Sequence, residues 1–206
     1  MFSICTAIIE PGKIDETLAQ WKESEKVFTR EIGVMERYFF QCEIQPHIVW
    51  SLTGWVSEKH HNDAAQSIMK IRRDDRIASA PFDKPYFEVF AEQDPLSFGS
   101  AGANCGLIIV AHGLISAKAR ERYYELRKKR IAEFKNRFAW FGLYHNTYNP
   151  DEFTAYLGFE NKAAYEALRK IEGLCLEEYL LTGLQTPLGM SMIAGYNQFP
   201  CARILA

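Results

Sequence analysis

Apolar positions along this chain fall into short runs with strand-like spacing and longer stretches with helix-like spacing. A first apolar run covers Phe2 to Ile9. Ile14, Leu18, Trp21, Phe28 and Ile32 then recur at spacings of four, three, seven and four, which puts them on one face of a helix. The aromatic-rich stretch Val34 to Ile44 predicts a strand, Gln45-Pro46-His47 a tight turn, and Ile48 to Trp55 a third strand. A second helix is predicted from Ser57, whose side-chain oxygen suits the exposed N–H groups of a first helical turn. Pro85 to Ala91 reads as a closing strand.

The second half repeats the succession. Leu107 to His112 is a strand, and Ala119, Tyr123, Leu126 and Phe134 mark a helix face. Phe138 to Tyr148, the turn Asn149-Pro150-Asp151, and Glu152 to Phe159 follow, then a helix from Asn161 and a last strand, Gly189 to Tyr196. Displacing the sequence by 104 residues lays Ile4–Ala7 on Ile108–Ala111, Pro46 on Pro150, Gly54 on Gly158, and Tyr86–Ala91 on Met190–Gly195 without a gap. The order β-α-β-β-α-β, met twice, predicts an α+β chain of two tandem ferredoxin-like modules at 1–95 and 105–206. Residues 96–104, rich in Gly, Ser and Ala, read as the linker. Ile48 to Trp55 carries apolar residues on both of its faces, yet a βαββαβ sheet has helices on only one. The expected solution is that the two modules pack sheet to sheet as a barrel within one chain, with Trp50 between the sheets.

Composition narrows the function classes. The formal net charge is −2 and 24% of residues are charged. That balance offers no basic footprint for nucleic acid or an anionic membrane surface. The first half is acidic on balance and the second basic, which favours their docking. The opening apolar run is too short for a signal peptide or a membrane span, and a cytoplasmic location is expected. Five widely spaced cysteines without a Cys-x-x-Cys pair read as reduced thiols, not a disulfide frame or zinc site. No phosphate loop, His-x-x-x-His pair or Gly-x-Ser-x-Gly elbow is present.

Trp55 within LTGWVSEKHHNDAA and the later PYFEVFAE stretch resemble the dimeric α+β barrel superfamily, most of all its antibiotic-biosynthesis-monooxygenase branch. Members are usually single modules that pair; this chain resembles a fused pair, with a further homodimer possible on top. The resemblance implies a pocket between sheet and helices lined by Trp, His, Asn or Tyr. It implies cofactor-independent oxygenation of a small aromatic or polycyclic compound, or alternatively haem binding or degradation. Tandem ferredoxin-like modules also act as non-enzymatic binding modules for small hydrophobic or aromatic molecules, the third reading.

The candidate residues follow. His61, Ala64, Ala65 and Ile68 share a helix face, so His61 is expected to point at the sheet as a general base or a haem ligand, its alternative being a core-margin histidine. Trp55, six residues earlier, is a candidate wall for a flat ligand or a core residue. The second half has Phe159 and Tyr165 at the same offset, and His145 and Asn146 on its aromatic strand. His145 is the second candidate base, and Tyr165 and Asn146 are candidate substrate contacts. Adjacent strand residues face opposite ways, so His145 and Asn146 cannot both enter one pocket. His60 and His112 are weaker candidates, and no metal site is expected.

Overall fold

The computed structural model describes residues 1–10, 12–17, 19, 33–42, 46–74, 87–100, 105–115, 117–170 and 199–204. They divide between two compact units, one within residues 1–91 and one within residues 92–204.

The first unit contains β1 (Phe2–Ile8), β2 (Val34–Cys42), β3 (Ile48–Trp55), α1 (Glu58–Asp74) and β4 (Phe87–Gln93). Its strands run in the order β4-β1-β3-β2, and the pairings of β1 with β3, β1 with β4 and β2 with β3 are all antiparallel. This is the strand order of a ferredoxin-like unit. Residues 14–17 and 19 are helical; Leu18, Trp21, Phe28 and Ile32 of the predicted first helix lie outside the described residues. Pro46 sits in the turn between β2 and β3, where its carbonyl accepts from Gln41 Nε2 at 2.9 Å. Both faces of β3 are buried, since Val49, Trp50, Leu52 and Trp55 all belong to the core. Side chains alternate across a strand, so this pattern places apolar surface on both sides of the sheet. At the entry to β2, Gly33 has φ +86°, and a Cβ there would lie 2.6 Å from His60 Cβ. Only glycine combines that backbone with that approach. His60 is thereby packed on the chain turn, and its Nδ1 lies 2.8 Å from Ser57 Oγ.

The second unit contains β5 (Phe98–Gly99), β6 (Leu107–Leu114), α2 (Arg120–Phe134), a 3-10 turn (Lys135–Arg137), β7 (Trp140–Asn146), β8 (Glu152–Phe159), α3 (Lys162–Arg169) and β9 (Phe199–Ile204). Its order is β9-β6-β8-β7-β5, antiparallel in its β6–β8, β6–β9, β7–β8 and β5–β7 pairs. The first four of these strands repeat the order of the first unit. Pro150 lies in the turn between β7 and β8, as Pro46 does between β2 and β3. The helix face read from the sequence is the buried one: Ala119, Tyr123, Leu126 and Phe134 pack inward. Arg127 joins them, donating from Nε to the Tyr123 hydroxyl at 2.8 Å. Asn161 caps α3 by accepting from the Ala164 N–H at 2.9 Å.

Several expectations change. The constant displacement of 104 holds for the second and third strands, where Glu36 faces Gly54 and Trp140 faces Gly158. It does not hold for the first: Phe2 faces Gly54, but the residue facing Gly158 is Ile108, not Gly106. The slip is two residues, which leaves every side chain on its original face because the pleat has period two. β6 also runs on through His112 to Leu114. β7 stops at Asn146 because that side chain turns back to accept from the N–H groups of Tyr148 at 2.8 Å and Asn149 at 3.2 Å. The strand expected at Gly189 to Tyr196 lies outside the described residues, and the strand that pairs with β6 is β9.

The segment read as a linker is partly sheet. Phe98 and Gly99 pair with Phe141 and Trp140 on the edge of β7. Gly99 has φ +73°, and a Cβ there would come within 2.5 Å of the Ala139 carbonyl oxygen, so the residue must be glycine for the strand to close on this edge.

Candidate functional site

In the first unit, Ser57 starts α1. Its hydroxyl accepts from the His60 N–H at 3.3 Å and its carbonyl from the His61 N–H at 3.2 Å. That start turns the His61 ring onto the sheet. The ring meets Trp55 edge-on at 5.0 Å between centroids and Phe90 edge-on at 4.7 Å. Ala64 on the same face is buried, whereas Ala65 is exposed, so the inward stripe is narrower than the sequence suggested. His61 is partly exposed, and its Nδ1 lies 3.1 Å from Asn62 Oδ1. Trp55 has only 3% of its surface exposed. Its Nε1 donates to Ser3 Oγ at 2.9 Å. An indole so enclosed presents no stacking face to a flat ligand in this arrangement; it closes the core beneath His61.

The second unit brings together a group that sequence reading found only in part. His145 is the sixth residue of β7, and β-alternation puts it on the same face as Phe141 and Leu143. Those two belong to the cluster under α2 with Tyr123, Phe153 and Ala155. The next helix residue, Tyr124, packs at the margin of that cluster, and its hydroxyl lies 2.6 Å from His145 Nε2. The third member is Asp94, whose Oδ2 lies 3.2 Å from the same nitrogen. His145 and Asp94 side chains are 17% and 8% exposed.

Asp94 is held by its backbone as well. Its N–H donates to the Leu143 carbonyl at 2.8 Å, and its carbonyl accepts from the Ser97 N–H at 3.0 Å. Its Oδ1 accepts from the Leu96 N–H at 2.8 Å. The Ser97 hydroxyl accepts from the Leu143 N–H at 2.9 Å and lies 3.2 Å from its carbonyl. Residues 94–99 are thus fastened to the edge of β7, and the carboxylate is delivered to His145.

Burial by itself would raise the Asp94 carboxyl, but hydrogen bonds from His145, the Leu96 N–H and Tyr124 outweigh it and hold the group below the ordinary value of 3.8. Burial, and then the Asp94 carboxylate, push the Tyr124 phenol above its ordinary value of 10.0. Asp94 is therefore an anion and Tyr124 a neutral donor at neutral pH. A carboxyl whose folded value is depressed contributes stability that is complete above its unfolded value and drains as pH falls through the folded one. Acid titration of the fold should show this: below pH about 4, the wild-type chain loses more stability than Asp94→Asn does. Parallel acid curves for the two proteins would contradict the assignment.

The other sequence candidates are placed as follows. Asn146 donates from Nδ2 to Glu152 Oε2 at 2.7 Å and caps the turn with its Oδ1, so both ends of its amide serve the hairpin. Tyr165 is buried among Leu107, Ile109, Phe134, Phe159 and Leu168. Its ring packs on Phe159 at 5.4 Å, apart from the His145 group, and serves the core. His112 faces Thr154 across the β6–β8 ladder. Asp94 and Tyr124 were not singled out in the sequence, where one lies in a Gly/Ser-rich stretch and the other in a charged helix. Among the described residues, no group of three or more His, Cys, Asp or Glu could hold a metal ion. Among them, too, no helix is long and apolar enough to cross a membrane.

No protein-family model matches the sequence, and no curated protein sequence does. Solved structures do match in fold. A candidate monooxygenase from Fusobacterium nucleatum has TM-score 0.61 at 8% identity, over 100% of this chain and 92% of that one. An anthrone oxidase-like protein has TM-score 0.59 at 9% identity, over 100% and 91%. A candidate monooxygenase from Lactobacillus acidophilus has TM-score 0.57 at 12% identity, over 100% and 98%. At these identities the likeness establishes the fold: an α+β chain with antiparallel, ferredoxin-like sheet order, shared with proteins described as monooxygenases.

Proposed function

We propose that this chain is a cofactor-independent monooxygenase acting on a small aromatic or polycyclic compound, with His145 as its general base. The observation that carries the reading is the pairing of His145 with a buried carboxylate, Asp94, beside a neutral phenol, Tyr124. A carboxylate on one imidazole nitrogen stabilises the imidazolium that forms when the other takes a proton. The chemistry asks little else of a protein. His145 removes a proton from an acidic CH2 group of an enolisable aromatic, and the carbanion passes an electron to O2. The radical pair joins as a peroxide, which takes the proton back and loses water. One oxygen atom ends in the new carbonyl and the other in water. Fold neighbours described as monooxygenases and as anthrone oxidase-like support this reading. The repeated strand order and the two prolines at matching turns support a tandem duplication of one module as its origin.

The test is oxygen uptake on addition of anthrone-type compounds, with the carbonyl product identified and 18O2 supplying its oxygen. His61→Ala and His145→Ala then apportion the chemistry between the two units. Full activity in His145→Ala would end the reading for the second unit and pass the base role to His61.

Haem is the alternative cofactor. The residues fit it poorly: the His145 ring packs on Tyr124 at 5.7 Å between centroids, and the His61 ring is packed edge-on against Trp55 and Phe90. Added haemin is expected to give no Soret shift of a histidine-ligated species. Such a shift in wild type, abolished in either histidine variant, would favour the haem reading. Binding of aromatic compounds without oxygen uptake would favour the non-enzymatic one.

A further inference from the structure

We infer that Asp94 is a positioning residue which fixes the His145 tautomer so that the proton sits on Nε2 and the basic lone pair on Nδ1. This deepens the base role proposed above and rests on that reading for its catalytic consequence, though not for the tautomer itself.

The proton of a neutral His145 has two arrangements. Nε2 has two oxygen neighbours, the Tyr124 hydroxyl at 2.6 Å and Asp94 Oδ2 at 3.2 Å. With the proton on Nε2, the N–H is shared between these oxygens and the phenol is free to turn its own proton to Asp94. The carboxylate then accepts from Nε2 and from the Leu96 N–H. With the proton on Nδ1, the Nε2 lone pair would take the phenol proton. Asp94 would lose the Nε2 donor, and its Oδ2 would face a lone pair at 3.2 Å. A buried carboxylate oxygen set against a lone pair is costly, so the first arrangement wins.

The distances separate the contributions. An N–H donating to a carboxylate usually spans about 2.7–2.9 Å, so the contact from His145 to Asp94 is long and the one to Tyr124 is the close one. No hydrogen bond to Nδ1 is made among the described residues. Other charges near the group act on Tyr124: Arg120, one helical turn before it, is ion-paired with Asp151 and favours ionisation of the phenol less than Asp94 opposes it. From the neighbouring strand, Phe153 stands opposite His145 and contributes no charge.

The test uses the ligand-free full chain with 15N-labelled histidine. At a pH where His145 is neutral, its Nε2 should be pyrrole-like and its Nδ1 pyridine-like. Asp94→Asn, whose amide can either accept from or donate to Nε2, should mix the tautomers, whereas Tyr124→Phe, which keeps the ring, should leave the proton on Nε2. In oxygen uptake, Asp94→Asn should lower kcat roughly tenfold at nearly unchanged KM, a fraction of what base catalysis supplies. A wild-type spectrum with the proton on Nδ1, or an Asp94→Asn spectrum identical to wild type, would overturn the inference. The expected spectra in a chain that consumes no oxygen would leave the tautomer standing and remove the oxygenase reading alone.

Discussion

His145→Ala should lower the rate of oxygen uptake by about 10²-fold or more while the second unit stays folded. The first half of that expectation follows from the roles: His145 stands beside a buried carboxylate, and a general base supplies about 10²–10⁴ in rate. The second half follows from what remains after truncation. Asp94 keeps its Leu96 N–H, and its backbone stays bonded to Leu143 and Ser97. The loss is one hydrogen bond to a charged group, about 1.5–3 kcal/mol, against the roughly 5–15 kcal/mol by which a domain is stable. Circular dichroism should therefore show a lowered midpoint on an unchanged native spectrum. His145→Gln separates base from hydrogen-bond donor: it can still donate to Asp94 and should recover stability but not rate. A His145→Gln variant with wild-type turnover would refute the base role.

Trp55→Ala should be the most damaging of the substitutions considered, costing about 3–5 kcal/mol. The side chain is enclosed, so its removal opens a cavity instead of uncovering a surface. It also orphans a hydroxyl: Ser3 is buried and takes the indole N–H at 2.9 Å. The His61 ring, packed edge-on to the indole, loses one of its two aromatic contacts. Urea titration with a probe in the first unit measures the loss. Trp55→Phe keeps much of the buried area and gives up the N–H, and should cost clearly less. If Trp55→Ala costs below about 1 kcal/mol, the indole does not close the core, and its reading as a wall for a flat ligand returns.

Much of the local structure was legible in the residue pattern. The buried stripe of α2, the capping residues Ser57 and Asn161, the prolines of two hairpin turns and the double-faced burial of β3 are local or periodic properties, carried by side-chain type and spacing alone. The edge strand at Phe98–Gly99 left no such mark. It is made by backbone pairing with a strand some forty residues later, and backbone hydrogen bonds are written in no side chain.

The site divides in the same way. Period-two alternation set His145 apart from Asn146, and helical spacing turned His61 to the sheet. The tertiary structure decided which partners they met. Asp94 and Tyr124 lie 51 and 21 residues from His145 and come from a connecting segment and a helix with no shared motif. Their meeting depends on residues 94–99 being bonded to Leu143 and on Tyr124 following the buried Tyr123. The two-residue slip of the first strand escaped detection for a related reason. Hydrophobic alternation is blind to a shift of two, which preserves every inward and outward position, and only the hydrogen-bonded ladder distinguishes the registers.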